Sequence, residues 1–161
     1  MKYSTLCYIE KGDSYLMLHR TKKENDANKD KWLGIGGKFE DRESPEDCAF
    51  REIKEETGLT VTKYAYRGIV TFISDKWETE YMHLFSVYEY DGDIIECDEG
   101  DLEWIKKDEL LKLNMWEGDR IFLNLIALAD TPFFSLKLQY EGEKLICAVL
   151  NGKMLKERKE G

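Results

Sequence analysis

The sequence has only two prolines, Pro45 and Pro132, and no proline-, glycine- or serine-rich stretch that would divide it. It has two histidines, His19 and His83. Its four cysteines, Cys7, Cys48, Cys97 and Cys147, never stand close enough to form a CxxC half-site. A zinc centre built on soft ligands is disfavoured, and reduced thiols are the expectation. Basic residues are in deficit, with 24 Lys and Arg against 33 Asp and Glu and a net charge of -9. Such a chain does not attract nucleic-acid polymers or anionic membranes through its overall field. No run approaches the roughly eighteen apolar residues of a membrane span. The start, "MKYSTLCYIEKGDSY", reads as neither leader nor anchor, so the cytoplasm is the expected location.

What is present suits a single globular domain over residues 1–161, since 42% of 161 residues are hydrophobic. "STLCYI" and "SYLMLHR" flank the turn signal "EKGD" and predict a hairpin. "TKKENDANKDK" reads as an exposed loop, and "WLGIGGKF" as an irregular strand. Ser44 suits a helix N-cap, Pro45 the first helical position, Asp47 a short-armed capping box and Gly58 the stop. "YAYRGIVTFIS", "EYMHLFSVYEY" and "LEWI" read as strands. "MWEGDRIFLNLIALA" predicts a helix with Ile121, Leu125 and Leu128 on one face and Phe122 and Ile126 alongside. "FFSLKLQYEGEKLICAVL" predicts a closing hairpin around Glu141–Glu143. Together these give an α+β fold or a mixed-sheet sandwich.

The stretch Gly36–Leu59 is dense in Asp and Glu. Glu52, Glu55 and Glu56 are three and four positions apart, so on a helix they share one face, beside an apolar stripe of Ala49, Phe50 and Ile53. Crowded carboxylates near a helix C-terminus repel one another and oppose the helix dipole. Two readings follow: a solvated face with Lys and Arg neighbours, or a site for a hard divalent cation.

From Gly37 the spacing is Gly, five residues, Glu43, seven residues, then "REIKEETGL" over Arg51–Leu59. This resembles the box of Nudix hydrolases, Gx5Ex7REUxEExGU, at each specified position over 37–59. "LMLHR", "KWLGIGGKFE", "CDEGDLEW" and "MWEGD" resemble the corresponding parts of MutT- and MutX-type oxidised-purine nucleoside triphosphatases and their mammalian relatives, over roughly residues 3–150. The resemblance implies an α/β/α sandwich with a mixed sheet between helices. It implies hydrolysis of 8-oxo-dGTP-type triphosphates to monophosphate and pyrophosphate, with magnesium or, alternatively, manganese. Other nucleoside triphosphates and dinucleoside polyphosphates are alternatives, as is a non-catalytic sensing module, although the box is intact. No proline lies between Pro45 and Pro132, which disfavours the ADP-ribose branch.

By the same resemblance Glu52, Glu55 and Glu56 are catalytic metal ligands, with Glu52 the commonest candidate base. Gly37 offers a backbone carbonyl to the metal, Glu40 an outer ligand, and Glu99 an extra ligand with Asp98 and Asp101 as neighbours in sequence. Glu43 and Arg51 pair structurally, and Gly58 ends the helix. Lys38 could reach a phosphate. Leu33, Phe72, Met82, Trp116 and Asp119 form the base pocket, with Trp116 stacking and Asp119 accepting hydrogen bonds. Leu33 stands where relatives have asparagine, and Gly118 where the mammalian relative has a second aspartate. The expected partner is a small nucleotide, and the chain is expected to be a monomer or homodimer.

Overall fold

A computed structural model describes residues 1–22 and 26–157. The expected hairpin is formed by β1 (Lys2–Lys11) and β2 (Ser14–Arg20). They pair only from Ile9 opposite Leu16 to Lys11 opposite Ser14. Beyond that, β2 leaves β1 and pairs with β3 (Trp32–Leu33), while β6 (Gly100–Lys106) pairs with β2 along its whole length from Ser14 to Arg20. The freed edge of β1 is taken up by residues 35–38, through bridges at Cys7–Ile35 and Ser4–Lys38. The loop before β3 lies partly outside the described residues. Its end is buried at Lys31, not exposed.

The other side of β1 runs parallel to β5 (Glu80–Asp91). The sheet continues through β4 (Thr60–Ser74), β7 (Phe134–Glu141), β8 (Lys144–Leu150) and β9 (Lys153–Glu157), which the sequence did not announce. Parallel and antiparallel pairs coexist, so the sheet is mixed.

Alternation along β1 divides two layers. Cys7 and Ile9 join Ala49 and Ile53 of α1 (Pro45–Thr57). Leu6 and Tyr8 join Phe122, Leu123 and Ile126 of α3 (Asp119–Ile126). The result is an α+β sandwich with helices on both faces. A single helical turn, α2 (Lys107–Leu110), follows β6. Among the described residues no helix is long and apolar enough to cross a membrane.

The ends of α1 follow its sequence. Ser44 accepts from the Asp47 N–H while Asp47 accepts from the Ser44 N–H, closing a reciprocal capping box. Gly58 adopts φ 82° and stops the helix. In α3 the expected face is corrected. The helix starts only at Asp119, and Phe122, Leu123 and Ile126 carry its buried side. Leu128 lies beyond the helix and is 63% exposed. Both sets of positions recur at helical spacing, and packing against the sheet chose between them.

A register shift between Tyr66 and Gly68 interrupts β4 at Arg67. Its buried guanidinium donates to the carbonyls of Ile126 and Leu128 at 3.1 and 2.6 Å and to Ser86 Oγ at 2.9 Å. The carbonyls at the end of α3 thus find their partners in the sheet.

Candidate active site

The glycine segment is threaded along β1. Ile35 exchanges backbone hydrogen bonds with Cys7, Thr5 N–H donates to the Gly37 carbonyl at 2.9 Å, and Phe39 N–H donates to Tyr3. A Cβ on Gly36 would fall 1.9 Å from the Thr5 carbonyl oxygen, so no side chain fits there. In this register residues 35, 37 and 39 turn their backbone groups toward β1, and Gly36 turns its own away. Its N–H donates to Glu56 Oε2 at 3.1 Å. In an extended strand its carbonyl lies on the same edge as that N–H. The Gly37 carbonyl is instead engaged by Thr5 and by the Cys48 thiol. The carbonyl that the resemblance implies as a metal ligand, that of Gly37, is thus already a hydrogen-bond acceptor, while Gly36 turns its N–H to Glu56.

Arg51 organises the rest of the box. It grips Glu43 with two bonds, at 2.7 and 2.8 Å, and also reaches the Lys38 carbonyl, Glu52 at 2.7 Å and Glu55 at 3.2 Å. The paired charges hold the Glu43 carboxyl below its usual range, chiefly through the Arg51 hydrogen bonds. Glu40 lies exposed at the edge, 3.5 Å from Arg51.

The three box glutamates differ in environment. Glu55 points toward Arg51 and solvent, with its side chain 58% exposed. Glu52 is half-buried, and burial raises its pKa against the lowering effect of Arg51. Glu56 is buried, and burial followed by the adjacent Glu99 carboxyl pushes its pKa well up. Glu99 is held from the other side by Arg20 at 2.9 Å, which also binds Asp26. Asp98 and Asp101 do not line the cavity beside these groups.

Among the described residues no three His, Cys, Asp or Glu side chains stand at ligating positions as they are. Arg51 draws Glu52 and Glu55 to itself. The donor set still fits a hard cation. Glu56 Oε1 is buried without a hydrogen-bond donor among the described residues, and Glu99 and Glu52 crowd it with like charge. All the available donors are oxygens, as magnesium requires.

A cavity of about 510 Å³ opens beside these carboxylates. Its lining includes Gly37, Lys38, Glu52 and Glu99, together with Leu33, Phe72, Met82, Trp116 and Asp119. Glu55 and Glu56 are not on its wall. Trp116 is almost wholly buried, edge-on to Phe72 and Tyr140, and its Nε1 donates to Asn28 Oδ1 at 2.7 Å. The Lys31 ammonium lies 4.7 Å over its ring and pairs with Glu143. Part of the Trp116 surface is thus already engaged by the protein itself. Asp119 is buried, and desolvation pushes its pKa up to about 8 against the pull of Arg120 and Lys31. Burial thus favours its protonated form, which can donate as well as accept. Ser4, Arg20, Asn28, Trp77 and Glu80 also line the cavity. Sequence reasoning missed them, although Glu80 stands two residues before Met82, on the same strand face.

The NUDIX domain family matches residues 2–126. An uncharacterized Nudix hydrolase of Bacillus subtilis is 31% identical over 127 residues, covering 76% of this chain and 77% of that protein. The oxidized purine nucleoside triphosphate hydrolase of Danio rerio is 37% identical over 98 residues, covering 60% of this chain and 62% of its own length. Among solved structures, a MutT protein from Bacillus halodurans superposes with a TM-score of 0.82 at 28% identity, over 95% of this chain and 99% of that one.

Proposed function

The chain belongs to the Nudix hydrolase family, and on that premise we propose that it hydrolyses purine nucleoside triphosphates with an oxidised base, of the 8-oxo-dGTP type. The products are nucleoside monophosphate and pyrophosphate, and the role is sanitation of the nucleotide pool. The observation that carries this reading is a single cavity lined both by carboxylates, Glu52 and Glu99, and by two aromatic rings and a buried acid, Phe72, Trp116 and Asp119. The oxidised purine substrate named for the Danio rerio relative supports the same reading.

Glu52, Glu56, Glu99 and the Gly36 carbonyl would hold the cation, with Glu55 joining once released from Arg51. Magnesium, or manganese in its place, would neutralise phosphate charge there and lower the pKa of the attacking water. Glu52 would take the water proton as oxygen bonds to phosphorus and the bridge between α- and β-phosphates breaks. Lys38 at the cavity wall suits a phosphate oxygen. Phe72 and Trp116 supply an apolar slot for the base, and Asp119 a hydrogen-bonding group deep inside it.

Leu33 on the cavity wall has no polar atom to offer a base, which favours a second reading: hydrolysis of nucleoside triphosphates with little base preference, or of dinucleoside polyphosphates. A substrate panel with magnesium separates the two. Higher kcat/KM for 8-oxo-dGTP than for dGTP is the expected result, with pyrophosphate as co-product. A flat profile across bases would reject the first reading in favour of the second.

A further inference from the structure

Glu80 is a cavity carboxylate that the proposed chemistry does not use. It opens β5 and lines the cavity with Ser4 of β1. Alternation puts Glu80, Met82 and Leu84 on one face. Met82 lines the cavity, and Leu84 lies in the core beneath. In the neighbouring strand Phe72 pairs directly with Glu80, and Phe72 packs edge-on against Trp116 at 5.2 Å. Glu80 therefore borders the ring-lined part of the cavity.

Its orientation is fixed. Ser4, only 4% exposed, donates its hydroxyl to Glu80 Oε2 at 2.6 Å. No ion pair of Glu80 occurs among the described residues, although Lys2 is its register partner on β1. Lys2 and Lys38 line the same cavity, yet the contact that Glu80 makes is to a hydroxyl, and a carboxylate so held on the wall of a site for polyanions suits a part of the substrate that carries hydrogen-bond donors. Nucleobases differ in this respect. A guanine-type edge presents two adjacent donors, the ring N1–H and the exocyclic amino group. An adenine-type edge presents an amino group beside a ring-nitrogen acceptor, which a carboxylate repels.

We propose that Glu80, oriented by Ser4, is a specificity-determining residue that accepts hydrogen bonds from the paired N–H groups of a guanine-type base. This rests on the nucleotide reading above and adds to it the residue that reads the guanine-type edge. Two acidic groups then divide the work. Glu80 only accepts, and Asp119 supplies hydrogen bonding from the buried end of the slot.

The test measures kcat and KM of wild type, Glu80→Gln, Glu80→Asp and Ser4→Ala with guanine-type and adenine-type triphosphates. Glu80→Gln replaces an acceptor oxygen with an amino donor at constant size. It is expected to raise KM for guanine-type substrates by about tenfold or more, because a site that loses its hydrogen-bond match discriminates less. The loss with adenine-type substrates is smaller, so the preference narrows. Glu80→Asp keeps the acceptor and holds an intermediate preference. Ser4→Ala frees the carboxylate and moves the preference in the same direction by less, and it carries the test if Glu80→Gln does not fold. An unchanged guanine-to-adenine ratio in a folded Glu80→Gln protein, or a change confined to kcat, overturns the role of Glu80 alone. A wild type that hydrolyses no purine triphosphate overturns the functional reading, and this inference with it.

Discussion

Gly37 leaves room for the Glu52 carboxyl: a Cβ on Gly37 would stand 2.5 Å from the Glu52 carboxyl carbon. The obstacle is the end of a flexible side chain, so Gly37→Ala should fold and displace Glu52. We expect a fall in kcat with little change in melting temperature. Gly36→Ala meets the Thr5 backbone at 1.9 Å instead and should lose the fold. Thermal melts of both variants beside turnover check the contrast. Equal stability of the two would contradict it.

Glu52→Gln keeps size and hydrogen-bonding capacity while removing the basic oxygen. If Glu52 takes the proton from water, kcat falls by about 10²–10⁴-fold, the usual contribution of a general base. Circular dichroism should show the native fold retained. Near wild-type turnover would assign the proton to another group.

Substrate binding should depend on the divalent ion. Glu52, Glu56 and Glu99 crowd one region of a chain with net charge -9, and a triphosphate brings more negative charge to it. A non-hydrolysable nucleotide titrated by calorimetry should bind with magnesium and lose most of its affinity in excess chelator. Tight binding in the chelator would show that Lys38 and its neighbours suffice without the ion.

Asp119 gives a pH signature in stability. Burial holds its folded pKa at about 8, against about 4 for an exposed aspartate. The charged and titratable groups around it are Lys31, Arg120, Tyr8 and Tyr140. Below about pH 4 both folded and unfolded states hold the proton, and the residue adds no pH dependence. Between about 4 and 8 only the folded state holds it. Stability therefore falls as pH rises, by up to about 1.4 kcal/mol per pH unit. Asp119→Asn stays neutral and lacks this slope. Melting temperatures at pH 5, 6.5 and 8 should decline more steeply for wild type than for the variant, and parallel curves would refute the assignment.

Arg67→Met removes a buried cation from the carbonyls of Ile126 and Leu128 and from Ser86. Unpaired buried carbonyls are costly, so a loss of about 3 kcal/mol is expected. In a chain of this length that lowers the melting temperature by roughly 6–12 °C. Because Arg67 lies outside the cavity, kcat at low temperature should change far less than the melting curve.

The local grammar was legible in the sequence. Ser44, Pro45, Asp47 and Gly58 mark the ends of α1 because capping uses groups within a few residues of one another. The first and closing hairpins follow from turn residues between β-rich runs. The spacing from Gly37 to Leu59 identified the family, since chemistry on one helix requires fixed intervals along it.

Periodicity places side chains around an axis but does not say which side meets the sheet. Glu55 and Glu56 are adjacent in sequence, yet one is open to solvent and the other sealed beneath Gly36. The backbone N–H that Gly36 gives to Glu56 was fixed by the pairing of residues 35–39 with β1, which a glycine pair does not encode by itself. The same holds for the phase of α3, the raised pKa of Asp119 and the meeting of Ser4 with Glu80 across 76 residues. These depend on desolvation and on contacts between distant segments, and such energies exist only once the layers have closed.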